Sequence, residues 1–175
     1  MDKCEGLNMG GVSILRAWRA GLLPDLIHRY GYEDAMKCAD GFHVYRSAVH
    51  NLIVTSGKVM VGNMLRDTAG YDTGLTYHAI GTGSTAPAIA NTTLTTEAAR
   101  KVWTNKSQTI ATVTFSVFYT AAQCTYNIKE CGIFGHSTAG ATANSGILFS
   151  HYLQAYDNSA GSFDLTFDYV LTIGV

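Results

Sequence analysis

The chain has 175 residues, room for one domain or a domain plus an arm, and its 47% apolar content excludes a disordered chain. Only 14% of residues are charged, the formal net charge is −1, and no Lys/Arg run occurs, so no strong field draws the chain to nucleic acid. With so few charges, Thr, Ser, Gly, Asn and Tyr must cover much of the outside, which suits either a subunit covered by its neighbours or a sparsely charged surface.

The opening Met1-Asp2-Lys3-Cys4-Glu5 lacks a basic stretch followed by an apolar core, so no signal peptide is expected. No apolar run approaches the ~20 residues that cross a bilayer, and no membrane partner is expected. Residues 1–50 read as a helical N-terminal arm. Leu15, Trp18, Leu22 and Leu26 recur at spacings of three and four, with Ile14, Leu23 and Ile27 beside them, a helical stripe flanked by Arg16 and Arg19. Gly21 and Pro24 interrupt it, predicting two short helices or one kinked helix, with Gly31 closing the second. A further short helix is expected over Glu33 to Ala39, stopped by Asp40-Gly41. The arm either packs on its own β domain or reaches a neighbouring subunit, and Leu15, Trp18, Leu22 and Leu26 are its expected anchor.

Residues 51–175 change character. Asn51 to Thr55 is a short apolar run, a strand or the beginning of a helix, and Ser56 is a candidate N-cap for a helix carrying Val59, Met60, Met64 and Leu65. Thr68 to Gly74 is a loop. Tyr77 to Ile80 is a buried strand ending in Gly81-Thr82-Gly83-Ser84, followed by an extended connection to Thr96. Gln108 to Thr120 alternates, with Val113, Phe115 and Val117 on one face. Tyr126 to Phe134 and Ile147 to Tyr156 are further strands, separated by a Gly/Ala/Thr/Asn loop over Ser137 to Ser145. Phe163, Leu165, Phe167, Tyr169, Leu171, Ile173 and Val175 then fill every odd position, with polar Ser162, Asp164, Thr166, Asp168 and Thr172 between them. That period of two predicts a long strand with odd positions buried and even ones exposed or at an interface. Such strands need a second apolar sheet above them, so the fold class is mainly β: an antiparallel β-sandwich or jelly-roll-like domain behind the helical arm.

No catalytic, cofactor or metal set emerges. There is no nucleophile elbow, zinc-protease helix or Walker loop, and Gly81-Thr82-Gly83-Ser84-Thr85 reads as a strand-end turn. The six histidines lack the close spacing of a zinc pair, although His78 and His151, both inside predicted strands, have the freedom to meet in space. Asp164 and Asp168 share a face but stand ~13 Å apart along a strand, too far for paired glycosidase carboxylates. Cys4, Cys38, Cys124 and Cys131 form no C-x-x-C pair and are expected as free thiols; a Cys4–Cys38 or intersubunit bridge is compatible with the sequence but not demanded by it. Asn91-Thr92-Thr93 and Asn105-Lys106-Ser107 match the glycosylation sequon but lack a secretory context.

One resemblance is carried by residues 51–175. The run Asn51-Leu52-Ile53-Val54-Thr55-Ser56-Gly57-Lys58 is similar to the opening of small tailed-phage proteins labelled tail-fibre, tail-collar or virion structural proteins. Tyr77 to Pro87, then Thr92-Thr93-Leu94 leading to Glu97 and Arg100, then Ile128-Lys129-Glu130-Cys131-Gly132-Ile133-Phe134-Gly135, resemble that group in the same order, with Cys131 where Val is common. The first 50 residues depart from its usual short members. The resemblance implies a non-enzymatic virion subunit of tail, collar or decorated head, made in the host cytoplasm. Its implied partners are other virion proteins and copies of itself, as a trimer or higher homo-oligomer. Glu97 and Arg100 would then be a structural ion pair tying a loop to a neighbouring turn. The competing expectation is a host-surface carbohydrate-binding module using the Ser137–Ser145 loop and aromatics such as Tyr156. A polysaccharide hydrolase would need two close carboxylates, and no pair is obvious.

Overall fold

The computed structural model describes residues 9–174. In chain order the elements are β1 (Met9–Arg19), α1 (Leu22–Tyr30), α2 (Tyr32–Ala39), β2 (Tyr45–His50), β3 (Leu52–Ile53), α3 (Thr55–Leu65), β4 (Leu75–Gly81), β5 (Glu97–Val102), β6 (Asn105–Thr109), β7 (Thr112–Tyr119), β8 (Asn127–Gly135), β9 (Ile147–Asp157) and β10 (Phe163–Ile173). They build two five-stranded antiparallel sheets, ordered β2-β1-β10-β7-β6 and β3-β9-β8-β4-β5. Two of the crossings between the sheets join edge strands. Asn51 alone separates β2 from β3, and Trp103-Thr104 alone separate β5 from β6. The Asn51 amide donates to Ser150 Oγ of the second sheet (2.6 Å) and to the Tyr169 hydroxyl of the first, pinning one crossing.

The core lies between the sheets. Leu15, Val117, Leu165 and Phe167 of the first sheet pack with Ile80, Cys131, Ile133 and Phe149 of the second. β10 supplies much of it: Leu165, Phe167 and Tyr169 are fully buried and Leu171 nearly so, while Ile173 emerges at the strand end. The last predicted position of this alternation, Val175, lies outside the described residues. The even face departs from expectation, because Asp164 and Thr166 are buried as well. The reason is a second apolar layer on that face, where α1 and α2 cover Trp18 and Phe118 through Leu23 and Ala39.

Residues 9–50 differ most from the sequence reading. Met9–Arg19 is a strand, not a helix, and it sits between β2 and β10 with Met9 opposite Ile173 and Arg19 opposite Phe163. Its core-facing side carries Gly11, Ser13, Leu15 and Ala17, so small and polar residues erase the alternation that would have announced a strand. The three-and-four spacing of Leu15, Trp18, Leu22 and Leu26 spans a strand, a turn at Ala20-Gly21 and a helix. Gly21, at φ 85°, makes that turn in a conformation other residues rarely adopt. The α1–α2 pair is thus an insertion in a β1–β2 hairpin, not a detached arm. Gly31 closes α1, its N–H donating to Ile27 O (2.9 Å), and α2 begins immediately after it.

Two smaller differences follow similar logic. α3 begins at Thr55, and Ser56 lies inside it, its hydroxyl donating to Leu148 O (2.7 Å) instead of capping the helix. Gly57 lets this helix lie directly on β9, since a Cβ there would come within 2.2 Å of Phe149 O. The stretch 108–120 is not one strand; β6 and β7 form a hairpin that turns at Ile110-Ala111.

Candidate functional site

Glu97 and Arg100, at the start and middle of β5, form a bidentate ion pair with Nη2 and Oε2 2.8 Å apart and side chains 1% and 3% exposed. Arg100 Nη1 also donates to the carbonyls of Gly140 (2.9 Å) and Ser145 (3.0 Å), and the guanidinium stacks 4.5 Å from the Phe134 ring centroid. Glu97 Oε2 accepts the Asn144 N–H (2.7 Å). Together they hold the loop between β8 and β9 against the outer face of the second sheet. Irregular backbone buried in this way must find partners for its N–H and C=O groups, and this pair supplies several. The Ser137–Ser145 loop therefore turns polar groups inward. Tyr156 is half-buried, its ring 4.8 Å from that of Tyr45 and 6.3 Å from that of Phe163.

A second clamp centres on Glu130, fully buried on β8. Its carboxylate accepts the N–H groups of Gly83 (3.1 Å), Thr95 (3.0 Å) and Thr96 (2.7 Å), and His151 Nε2 lies 3.1 Å away. Gly83 admits this approach, because a Cβ there would stand 2.3 Å from Glu130 Oε1. His151 Nδ1 faces the Asn91 amide oxygen at 2.9 Å, and that oxygen accepts the Ala88 N–H at 2.6 Å. Burial lowers the His151 pKa more than Glu130 raises it. The strand-end turn at Gly81-Thr82-Gly83-Ser84 is thus the edge of an internal anion cradle filled by the chain's own carboxylate. The sequence reading does not single out Glu130 as a site residue. Its one signal is its place on a predicted strand, an acid on the opposite face from Lys129 and next to the apolar Cys131 to Phe134, since a fully buried Glu occurs almost only with partners.

His78 and His151 do not meet. His151 faces the outer side of the second sheet, whereas His78 lies in the core between the sheets. Its Nδ1 is 3.2 Å from the Tyr119 hydroxyl and its Nε2 2.9 Å from that of Tyr152. The Tyr119 hydroxyl donates to His78 O (2.9 Å), so Nδ1 carries the proton and Nε2 accepts from Tyr152, whose oxygen accepts from Ser13 (2.9 Å). Each group in this chain has one consistent role, and the chain ties β1 and β7 to β4 and β9. Burial drops the His78 pKa from 6.5 to about 3, keeping the ring neutral.

The carboxylates of β10 have separate duties. Asp164 accepts the Gly21 N–H (2.9 Å) and the Ala121 N–H (2.8 Å), fixing two turns, and Asp168 pairs with Arg16 and accepts the Ser116 hydroxyl (2.6 Å). Cys38 is exposed, and Cys124 and Cys131 are buried as free thiols, their pKa values raised by burial. Cys4, with its suggested bridge, lies outside the described residues. Among the described residues no three metal-binding side chains gather, and no helix is long and apolar enough to cross a membrane.

Of the expected anchor, Leu15 and Trp18 are wholly buried within this chain, and the Trp18 indole N–H donates to Thr166 Oγ1 (3.2 Å). Leu22 and Leu26 pack partly buried beside Trp18. Exposed apolar side chains gather elsewhere. An apolar groove of about 380 Å³ opens at the end of the sheets between α3 and the β1, β7 and β10 strands, floored by Phe115, Phe149 and Leu171. Leu65, Met64 and Ile173 on its rim are 78%, 40% and 39% exposed. Among the described residues its one lining cation, Lys106, donates to Leu75 O (2.9 Å) and lies 5.8 Å from the Phe115 ring centroid. No protein-family model, curated protein or solved structure matches the chain.

Proposed function

We propose that this chain is a non-enzymatic structural subunit of a tailed-phage virion, in tail, collar or decorated head, and that it assembles as a homo-oligomer beside other virion proteins. The observation that carries the reading is the apolar groove with its exposed Leu65, Met64 and Ile173 rim. Exposed apolar surface of this kind marks interaction sites in a protein with few charges to spread over its outside. We assign its cover to a second copy of the chain. The buried acids and histidines support the non-enzymatic part, because Glu97, Glu130, Asp164, His78 and His151 each hold loops or join sheets. The resemblance over 51–175 supports the virion setting. On this reading the anchor moves from the Leu15–Leu26 stripe to the groove.

The test is light scattering of the purified chain together with incorporation into particles. Leu65→Asp changes an exposed side chain, so it should fold normally, release oligomers to monomers and fail to join particles. A wild-type chain that stays monomeric at high concentration, or a Leu65→Asp variant that assembles as the wild type does, would contradict the proposal.

A further inference from the structure

The β6–β7 hairpin ends in a two-residue loop, Ile110-Ala111, with Thr109 paired to Thr112 at its base. The favoured two-residue loops take a positive φ at their first position, where Gly, Asn or Asp usually stands. Here that position is Ile110, at φ 52°, and a β-branched side chain in that conformation crowds its own backbone. The same side chain is 94% exposed, the highest value among the large apolar residues described. Glycine would serve the turn better, and the core of this chain gains nothing from isoleucine there. The tip is also held in place. Ile110 O accepts from Gln108 Nε2 (3.3 Å), and Ala111 O accepts the Ile173 N–H (2.9 Å).

That second bond sets the tip at the margin of the apolar groove, which Ile173 and Val113 help to line. Ile110 is not part of the lining and does not fill the groove of its own chain. A fixed apolar knob and an apolar hole thus stand side by side at one end of the sandwich. Their charges match as well. Among the described residues Lys106 is the one charged side chain lining the groove, and Gln108 to Ala111 carry no charge. Such a tip enters apolar walls without stripping water from an ion of its own.

We propose that the groove receives the Ile110 tip of a second copy, and that a two-fold axis near the shared margin lets each tip enter the groove of the other in one isologous contact. Burying the Ile110 side chain in the partner offsets the strain of its backbone. This inference rests on the homo-oligomer reading above and names the segment that makes the contact.

The experiment measures dissociation constants of the full chain by analytical ultracentrifugation. Ile110→Gly and Ile110→Asn place residues suited to a positive φ at the tip, and each should weaken association at least tenfold. In urea, at dilutions where every form is monomeric, both should unfold no earlier than the wild type, which a merely structural Ile110 would not allow. Mixing Ile110→Asn with Leu65→Asp should restore association to a level that neither reaches alone, because the intact tip of one chain meets the intact groove of the other. If Leu65→Asp dissociates the chain while both Ile110 variants associate as the wild type does, the tip assignment fails and the oligomer reading stands. A mixture that stays monomeric overturns the assignment in the same way. A wild-type chain that is monomeric at high concentration removes the oligomer reading and this inference together.

Discussion

The two sheets hide their outer faces by opposite means. On the first, α1 and α2 lie over Trp18 and Phe118 and are held through Leu23 and Ala39, with charge playing little part in the contact. On the second, irregular chain from residue 82 to 96 and from 136 to 146 covers the smaller cluster of Val54, Ala79, Leu94, Phe134 and Leu148, and is held by Glu130 and by the Glu97–Arg100 pair. The difference follows from the backbone. A helix bonds its own N–H and C=O groups, so an apolar stripe is enough to dock it. Irregular chain brings unpaired N–H groups, and burying them demands acceptors, here carboxylates that themselves need three or more donors to be tolerated away from water.

Removing residues 1–50 is the severest test, because that segment holds both the helical cover and two strands of the sheet beneath it. A fragment starting at Asn51 should be insoluble or lack the cooperative unfolding of the full chain; a folded, soluble fragment would show that the cover and its strands are dispensable. The next effect separates the two kinds of cover. Glu130→Ala leaves three N–H groups and His151 without their acceptor and should destabilise by about 3–5 kcal/mol in urea unfolding. Leu23→Ala removes only packing from the helical side and should lower stability by about 2–3 kcal/mol, at the low end for buried leucines because a peripheral helix can settle. Amide exchange should show local opening of α1–α2 in Leu23→Ala and of residues 82–96 in Glu130→Ala. Reversed patterns would break the comparison.

The smallest effect is the dependence on pH, and it belongs to neither cover but to the layer between the sheets. His78 is neutral in the fold, with a pKa of about 3, and titrates at its ordinary 6.5 when unfolded. Below pH 6.5 the unfolded chain therefore binds the proton that the folded chain refuses, and stability falls until the pH nears 3. Between pH 7 and pH 5 the loss should be about 2 kcal/mol from this residue alone. The lowered pKa of His151 acts in the same direction. Urea unfolding at several pH values should show this slope, and His78→Gln should remove the part due to His78. A slope unchanged in that variant would mean that His78 is not the group responsible.

Parts of this architecture were open to inspection in the sequence. The strict alternation from Phe163 to Ile173 announces a strand because one face of β10 meets a continuous core, and its residues carry that face without help from neighbours. The β class, the loops near Thr68–Gly74 and Ser137–Ser145, the end of α2 before Asp40 and the closeness of Glu97 to Arg100 are likewise local matters, decided over a few residues. β1 shows where local reading stops. It pairs with β10 along its whole length, yet its core side reads Gly11, Ser13, Leu15, Ala17, because Gly11 lies against the Asn51 side chain and Ser13 bonds to Tyr152, 139 positions away. Its outer face is equally opaque, since Trp18 is buried there only because a helical insertion arrives to cover it.

What the amino-acid order determined by itself was the period of the strands with a wholly apolar face, the positions where glycine must turn the chain, and the scarcity of surface charge. Only the tertiary structure decided that Met9–Arg19 would be a strand, that Glu130 would close the 82–96 segment, and that Ser13, Tyr152, His78 and Tyr119 would form one buried chain of hydrogen bonds. The physical reason is the range of the interactions. Periodicity and turn chemistry act between neighbours in sequence. A buried polar group, by contrast, is stable only through partners that folding brings from distant strands, and no spacing along the chain encodes them.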